Sequence, residues 1–408
     1  MTDMISVGTA VERILAQVTE LERERVHIES AFGRVLAENV DSPLDLPPFD
    51  NSAMDGYAVR AHDTQNSPVT LRVVDDIPAG RASTRTIGPG ETARIMTGAP
   101  IPAGADAVVP VELTSANWGG MPGIVGASSV TVNAPVQAGD SVRLRGENVR
   151  KSQRLLSKSA VLRPQDVGML ASIGMGSVAV IRRPKAAILT SGDELIPYNE
   201  PLPAGGIYNG NSPMLAALIA QYGGEAIILP PARDQLEAVR ALFRAALEYK
   251  PDLIVSSAGV SVGAADYVKT VLEELGSVGF WKINVRPGRP LAYGSLEGVP
   301  FFGLPGNPVS AMVTCELAVK PAVLAMQGRT DMTLTIRAVA GEDIKSDGRR
   351  SYLRCSLTQT DGRWIAHLTR TQSSGALYSL VEADGLLIVP EDVKDVAAGT
   401  SVEVRLLR

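Results

Sequence analysis

The chain has few residues that bind metals through sulfur or imidazole. It contains two cysteines, Cys315 and Cys355, and three histidines among 408 residues. The cysteines have no neighbouring CxxC or HxxxH spacing, so neither a disulfide framework nor a thiolate metal site is indicated. His27, His62 and His367 have no partner pattern, and we expect them to pack or to face solvent. The low cysteine content fits a reducing cytoplasm.

The sequence also lacks a strong charge of one sign. Its formal net charge is -5, which argues against broad binding to nucleic acids or anionic membranes. No segment is expected to span a bilayer, and neither a P-loop nor a GxGxxG fingerprint is present. The apolar positions between Val7 and Leu21 predict an amphipathic helix rather than a signal sequence.

The length of the chain predicts several domains, because 408 residues exceed what one hydrophobic core usually supports. Short apolar runs broken by proline and glycine predict an inserted β-rich module between two flanking helical segments. The predicted domains are a discontinuous N-terminal helical and linker domain at 1–45 and 146–180, the β-rich domain at 46–145, an α/β domain at 181–328, and a small C-terminal β domain at 329–408.

The third domain alternates apolar runs with helical patterns, which predicts a parallel three-layer α/β sheet. Three helix starts are expected from capping residues: Ser212 before Pro213, Asp234 in a capping box, and Asn307 before Pro308. Beyond about residue 330, five short apolar runs predict a small, barrel-like C-terminal β domain. Their sequences are LTIRAVA, YLRCSL, WIAHLTR, GLLIVP and SVEVRLL.

Four loops follow or precede the predicted α/β strands and are rich in glycine and polar residues. In open α/β sheets, ligands bind beyond the carboxyl ends of the strands. Glycines permit close backbone approach, while hydroxyls and amides hold oxyanions. The competing interpretation is that each loop is a plain strand-to-helix connector. The loops are residues 190–195, 256–267, 286–290 and 303–310.

Charged residues within and beside these loops suggest a phosphorylated or oxyanionic substrate. Glu194 and Asp266 are candidate metal ligands, and Lys282, Arg286 and Arg289 supply positive charge. A solvated charged face would have the same composition. Asp234 is a candidate ligand too, although its position before QLEAVR favours a helix N-cap.

The run at 47–60, PPFDNSAMDGYAVR, has no helix or strand periodicity. It combines two prolines with Asp50, Asn51, Ser52 and Asp55, whose side-chain oxygens can bond backbone or hold a cation. A shaped functional loop and an ordinary turn leading into a strand both remain open.

Seven ordered motifs give the chain a family resemblance along essentially its whole length. It resembles the molybdopterin molybdenumtransferases of the MoeA and gephyrin E-domain type. The set is more specific than any single motif, and it favours functional loops over plain connectors. The motifs are FDNSAMDGYAVR, RIMTGAP, RGEN, TSGDEL, GVSVGAADY, FWK with RPGRP, and GLPGNPVSA.

The resemblance implies magnesium-dependent insertion of molybdate into adenylyl-molybdopterin, with release of AMP. It also implies a four-domain homodimer whose active site lies between the α/β domain of one subunit and the β-rich domain of the other. The implied catalytic residues are Asp55, Thr97, Glu194, Asp266 and Lys282. The implied substrate-binding residues are Ser261, Arg286, Arg289, Pro305, Pro308, Ser310, Arg354 and Ser374. The implied metal ligands for Mg²⁺ are Glu194, Asp234 and Asp266.

Four positions depart from the family pattern. Asn148 and Asn209 replace frequent aspartates, Ala264 replaces a frequent glutamate, and Ala258 replaces a frequent glycine. Asn148 and Ala264 leave open a non-catalytic pterin-binding or scaffold paralogue. The resemblance of the α/β domain to the related pterin-activating type leaves open an adenylyltransferase that consumes ATP with free molybdopterin.

Overall fold

The computed structural model describes residues 4–116, 128–257, 265–330 and 333–407. Its α-helices are α1 (Val7–Leu15), α2 (Pro164–Ser172), α3 (Asn211–Gln221), α4 (Leu236–Glu248), α5 (Ala265–Leu275), α6 (Pro308–Thr314), α7 (Lys320–Met326) and α8 (Tyr378–Val381). Its strands are β1 (Met4–Ile5), β2 (Arg23–His27), β3 (Val35–Leu36), β4 (Val40–Asp41), β5 (Asn51–Ser52), β6 (Gly56–Val59), β7 (Val69–Ile77), β8 (Glu91–Ile95), β9 (Ala107–Pro110), β10 (Ser129–Val132), β11 (Val142–Arg143), β12 (Arg154–Leu156), β13 (Ser177–Ile181), β14 (Lys185–Thr190), β15 (Leu195–Ile196), β16 (Ile207–Tyr208), β17 (Glu225–Ile228), β18 (Leu253–Ser257), β19 (Gly276–Ile283), β20 (Val285–Arg286), β21 (Pro290–Leu296), β22 (Val299–Leu304), β23 (Thr335–Ala340), β24 (Ile344–Lys345), β25 (Arg350–Thr360), β26 (Arg363–Leu368), β27 (Gly385–Val389), β28 (Asp395–Val396) and β29 (Ser401–Leu406).

The chain forms two compact units that each combine distant segments. The first comprises Met1–Ala37, Val161–Arg163 and Val178–Arg408, and the second comprises Glu38–Ala160 and Pro164–Ser177. The N-terminal segment belongs to the first unit for a physical reason. Strand β1 pairs in parallel with β19, and α1 buries Ala10 and Ile14 in the core beside the α/β sheet.

A seven-stranded sheet in the order β1-β19-β21-β22-β18-β14-β17 organises the first unit. The strands predicted from apolar runs, β14, β17, β18 and β22, pair in parallel. Strands β19 and β21 were not predicted, and they run antiparallel to each other and to β22. The sheet is therefore mixed, because short connections turn the chain back directly where no crossover helix intervenes.

Alternating side chains along the strands create one core on each face of this sheet. Ala186 and Ile188 of β14 pack in a core with α3, α6 and α7, whereas Ala187 and Leu189 pack in a core with α4 and α5. Both faces are apolar because helices cover both. This gives the three-layer α/β arrangement that the sequence predicts.

Two of the three predicted helix starts are wrong. Helix α3 begins at Asn211 after the cap position Gly210, so Ser212 is not the N-cap. Helix α4 is preceded by Gln235 at its cap, without a side-chain cap bond, so Asp234 is not the N-cap either. The third prediction is confirmed, because α6 follows Asn307 with a proline in its first turn.

Helix α6 continues through a π-helical turn at Cys315–Val319 into α7. The resulting helix, Pro308–Met326, has 19 residues and is long and apolar enough to cross a bilayer, so the expectation that no segment could do so is wrong on length and composition. However, 83% of it is buried inside the protein. Its apolar character is that of a core helix, packed between the sheet and the C-terminal domain.

The C-terminal domain is a small closed barrel. Its strands follow the order β25-β26-β23-β29-β27, and β27 pairs back to β25. These five strands coincide with the five apolar runs that the sequence predicts. Buried aliphatic residues such as Leu353, Leu387 and Val404 fill the interior, because alternate residues of each strand point inward.

The second unit contains the β-rich module. A five-stranded sheet in the order β10-β7-β8-β6-β9 forms its centre. Residues of β6 alternate between two cores, with Tyr57 and Val59 on one face and Ala58 on the other. The run at 47–60 thus supplies the short strand β5, a turn and the buried strand β6.

Candidate active site

A cleft of about 580 Å³ opens at the carboxyl ends of β14, β18 and β22. Its walls come from the loops that the sequence analysis singles out, together with a loop of the C-terminal barrel. The lining residues include the predicted site residues Glu194, Pro305, Pro308 and Ser310. A cavity of this size suits a ligand of the dimensions of a nucleotide or larger.

Amide and hydroxyl groups fix the floor of the cleft. The Asn211 side chain donates from Nδ2 to the Ser257 hydroxyl at 2.8 Å and to the Gly306 carbonyl at 2.7 Å. The Ser257 hydroxyl in turn donates to the Pro305 carbonyl at 3.3 Å. These bonds tie the end of β18 and the start of α3 to the loop before α6, so the floor is preorganised.

Two glycines have backbone conformations that explain their presence. Gly192 has a φ of +154°, and a Cβ there would lie 2.7 Å from Glu194 Oε2. Gly288 lines the cleft with a φ of +100°, and its Cβ would lie 2.3 Å from Thr314 Oγ1. Any side chain at either position would displace a neighbour and strain the backbone.

Three carboxylates meet beside the cleft. The backbone N–H of Asp234 donates to Asp193 Oδ1 at 3.2 Å. Burial raises the pKa of Asp234, and the charges of Asp193 and Glu194 raise it further. Asp234 therefore belongs to an acidic cluster, since neighbouring like charges disfavour its ionised form.

Oxygen ligands of this kind fit Mg²⁺, which is commonly held by one or two carboxylates with water and substrate phosphate. Within the described residues, no group of three or more His, Cys, Asp or Glu side chains is placed to hold a metal ion. Glu194 and Asp234 would therefore supply only part of a coordination shell. Asp266 lies in the first turn of α5, but its side chain falls outside what the structure describes.

Arg354 is almost completely buried, with 1% of its surface exposed. Its guanidinium donates to the Ser379 hydroxyl at 3.1 Å and to the carbonyls of Thr371 and Ser373 at 3.2 and 3.1 Å. Burial, with a smaller contribution from the Arg286 charge, lowers the pKa of Arg354 to about 10. It thus stays protonated at neutral pH and holds the 371–375 loop.

That loop reaches the cleft through Ser374. The Asn307 amide donates to the Ser374 hydroxyl at 2.9 Å, and the Val309 N–H donates to the Ser374 carbonyl at 3.1 Å. The next residue, Gly375, lines the cleft. Ser374 thereby joins the C-terminal barrel to the start of α6.

The remaining basic candidates lie on one short segment. Lys282 and Arg289 are exposed, and Arg286 is half-buried on β20, which pairs with β25. Their side chains are outside the cleft lining, although Gly288 and Pro290 between and beside them belong to it.

In the second unit, the structure brings Asp55 and Thr97 together. Asp55 Oδ1 accepts from the Thr97 N–H and from the Thr97 hydroxyl, each at 2.7 Å. These two bonds lower the pKa of Asp55, the backbone bond contributing most. Thr97 is exposed and Asp55 is half-buried, so the pair presents a fixed anionic group at the surface of this unit.

Five polar cleft residues were not assigned as site residues by the sequence analysis, although Thr190, Ser257 and Asn307 lie in the loops that it singles out. Thr190, Asn209, Asn211, Ser257 and Asn307 line the cleft, and their side chains make its internal hydrogen bonds. For Asn209 and Asn211, the signal was the polar run YNGNS at 208–212, which leads into the first residues of α3. Among the predicted residues, Ser261 lies outside the described residues, as do Ala258 and Ala264.

Family models match three consecutive parts of the chain. They are the MoeA N-terminal region (domain I and II) at residues 5–174, a probable molybdopterin binding domain at 187–325, and the MoeA C-terminal region (domain IV) at 337–407. A molybdopterin molybdenumtransferase 2 of Mycobacterium tuberculosis is 37% identical over 96% of this chain and 97% of its own length. The chain belongs to the MoeA family.

Other MoeA-family proteins are similar to this chain over its full length. A molybdopterin molybdenumtransferase of Haemophilus influenzae is 34% identical, covering 98% of both chains. A crystal structure of a molybdopterin biosynthesis MoeA protein from Pyrococcus horikosii is 34% identical, with a TM-score of 0.83 and complete coverage of both chains. The MoeA fold thus extends from the N-terminal segment to the C-terminal barrel.

Proposed function

We propose that this protein is a molybdopterin molybdenumtransferase, which inserts molybdate into adenylyl-molybdopterin and releases AMP in molybdenum cofactor biosynthesis. The observation that carries the proposal is the preorganised cleft of about 580 Å³ in the region matched by the molybdopterin-binding model. The curated relatives named above support the reaction class. The substrates are soluble anions, and we place the reaction in the cytoplasm.

Acidic residues beside the cleft, and basic residues on the segment that contributes Gly288 and Pro290 to its lining, suggest a division of roles. Glu194 and Asp234, with Asp266, would hold Mg²⁺, which would neutralise phosphate charge on the substrate. Lys282, Arg286 and Arg289 would attract molybdate, whose doubly negative charge suits guanidinium and ammonium donors. Ser310 and the loop between Pro305 and Pro308 would orient the pterin by backbone and hydroxyl contacts.

Arg354 contributes to this arrangement through the loop it holds. Its three acceptors, on Thr371, Ser373 and Ser379, lie within the C-terminal domain. The loop that Arg354 holds contacts the start of α6 at the edge of the cleft through Ser374. Ser261, which follows β18 in the sequence, would complete substrate binding.

We further propose a homodimer in which Asp55 of the partner subunit and Thr97 of the partner subunit complete the site. The support is the surface position of the pair and the two hydrogen bonds that fix the Asp55 carboxylate. A carboxylate held in this way is a suitable group to orient water or a cation near a phosphate.

Single alanine variants test the assignment. We expect Asp55→Ala and Glu194→Ala each to abolish cofactor formation from adenylyl-molybdopterin, Mg²⁺ and molybdate, with unchanged circular dichroism. Glu248→Ala is a matched control, because Glu248 is exposed at the end of α4 and is absent from the cleft lining. Full activity in either site variant would remove that residue from the mechanism.

A further inference from the structure

The segment that carries Arg286 is attached to the C-terminal barrel by its backbone. Strand β20 pairs in parallel with the start of β25, with Val285 opposite Arg350 and Arg286 opposite Ser351. The Val285 side chain is buried, with 1% of its surface exposed. The side chain of Arg286 therefore starts from a short strand whose position depends on the barrel.

A turn of the barrel also contacts this segment through one side chain, that of Arg349. Its Nη1 atom donates to the Val285 carbonyl at 3.3 Å. Its Nε atom donates to Asp347 Oδ2 at 3.0 Å, and its Nη2 atom donates to the same oxygen. One guanidinium can join a carboxylate of the turn to the backbone of β20 because its donors form a planar fork. Arg349 and Asp347 both lie outside the cleft lining.

Hydrogen bonds within the turn hold the backbone of Arg349. Gly348 has a φ of +86°, a conformation that favours glycine. The N–H of Arg349 donates to Asp347 Oδ1 at 3.1 Å, and the buried Ser351 hydroxyl donates to the Arg349 carbonyl at 3.0 Å. The guanidinium therefore extends toward β20 from a fixed base.

Two charged groups of the barrel act on Arg286 in opposite directions. Hydrogen bonds from Arg349 lower the pKa of Asp347, and the charge of Arg286 lowers it further. The charge of Arg286 also contributes to the lowered pKa of Arg354. Arg286 is thus attracted by Asp347 and repelled by Arg354, so the position of its side chain depends on the carboxylate that Arg349 holds.

We propose that Arg349 is a positioning residue that holds Arg286 for the binding of molybdate without contacting molybdate itself. The inference rests on the proposed function for the identity of the anion. Arg349 acts in two ways: it fixes the backbone of the residue before Arg286, and it fixes the carboxylate that attracts the Arg286 side chain. Less conformational freedom is then lost when the anion binds.

A double-mutant cycle tests whether Arg349 acts through Arg286. The Kd for molybdate is measured by isothermal titration calorimetry on the full-length protein. We expect Arg349→Ala to raise this Kd about fivefold, a loss typical of residues that act on a site without touching its ligand. In the Arg286→Ala background, the same change should alter the Kd by less than about twofold. A general loss of stability would weaken binding equally in both backgrounds.

Two further variants make the cycle specific. Asp347→Asn keeps the shape of the side chain but removes its charge, so it should also raise the Kd only when Arg286 is present. It carries the cycle if Arg349→Ala does not fold. The matched control is Arg363→Ala, which removes the same charge from an exposed position at the start of β26, outside the cleft lining. It should leave the Kd unchanged.

Hydrogen exchange followed by mass spectrometry gives a readout that does not depend on molybdate. We expect Arg349→Ala to speed the exchange of the amides at 283–286, because β20 loses a contact with the barrel. Exchange in α4 should stay unchanged.

Equal losses of molybdate affinity in the two backgrounds would overturn the inference, as would an unchanged Kd in both Arg349→Ala and Asp347→Asn. Absence of molybdate binding to the wild-type protein would contradict the proposed function. Hydrogen exchange would then decide the inference: faster exchange at 283–286 in Arg349→Ala would support the positioning of Arg286, and equal exchange would overturn it.

Discussion

At the scale of single residues, Asp234 shows most clearly how function and stability oppose each other. Its pKa is raised above 3.8 by burial and by Asp193 and Glu194. The folded state therefore binds this proton more tightly than the unfolded state. The stabilising contribution is fully present below the ordinary pKa and is lost as pH rises through the raised pKa.

Asp234→Asn should consequently raise the thermal unfolding midpoint at pH 7 in a metal-free buffer, because it removes a charge that the fold disfavours. If Glu194 and Asp234 hold Mg²⁺ as proposed, the ion should raise the midpoint of the wild-type protein, and the same variant should lose that increase. Differential scanning calorimetry at pH 4 and pH 7 measures both effects. Asp361→Asn, in an exposed turn of the barrel, is the control, and equal Mg²⁺ responses in all three proteins would refute the metal role.

Arg354 yields a second prediction at this scale. Arg354→Lys keeps the charge but replaces a planar fork by a single ammonium, which cannot reach the three acceptors together. We expect a higher KM for molybdate, with a smaller change in the Kd for the pterin substrate, because the 371–375 loop would lose its support. Steady-state kinetics with varied molybdate check this. A KM equal to that of the wild type would show that the loop does not depend on the guanidinium.

At the scale of elements, the helix Pro308–Met326 joins the α/β sheet to the barrel through one buried carboxylate. Glu316 lies in its π-helical turn and accepts from the Tyr222 hydroxyl at 2.6 Å. It also accepts from Lys320 at 3.3 Å and from Arg405 of β29 at 3.0 Å. Buried Arg405 and half-buried Lys320 share this carboxylate, so its charge cannot be removed without cost.

Glu316→Gln should lower the free energy of unfolding by about 3 kcal/mol, since removing one partner leaves buried charge uncompensated. Urea denaturation followed by tryptophan fluorescence and circular dichroism measures the change. Glu248→Gln, an exposed position in α4, should stay within about 0.5 kcal/mol of the wild type. Equal stability of the two variants would mean that the cluster contributes nothing.

The helices and strands also show which parts of the fold could be predicted from local sequence patterns. The five barrel strands and the parallel strands β14, β17, β18 and β22 follow from local apolar runs, and each was expected. The pairing of β1 with β19 joins residues such as Ile5 and Ile283. The local sequence of neither segment predicts that contact. Similarly, Asp234 has the local appearance of a cap, and only the tertiary structure shows that its neighbours are two other carboxylates.

The sequence predicted which loops form the candidate site, but it predicted only part of the chemistry of their side chains. Motifs located Glu194, Pro305, Pro308 and Ser310 on the cleft wall. The family resemblance also selected Arg354, whose burial and hydrogen bonds within the barrel could not be known from the sequence, because burial of a charge depends on long-range packing.

At the scale of the whole molecule, the proposed dimer makes a prediction that a monomeric site would not. Asp55→Ala and Glu194→Ala homodimers should each be inactive. If each site combines residues of two subunits, a mixed dimer has one site with both residues intact. Co-expression with two affinity tags isolates the mixed dimer, and we expect about half of the wild-type activity per dimer. Inactivity of the mixed dimer would place both residues in one subunit's site.

The most direct test of the account is the rate of AMP release from adenylyl-molybdopterin with Mg²⁺, with and without molybdate, alongside reconstitution of an apo-molybdoenzyme. We predict molybdate-dependent AMP release that parallels the formation of active cofactor. Tight pterin binding with neither product would contradict the account and indicate a non-catalytic paralogue, for which Asn148 and Ala264 would be the residues to revert. Consumption of ATP with free molybdopterin would contradict it in favour of an adenylyltransferase.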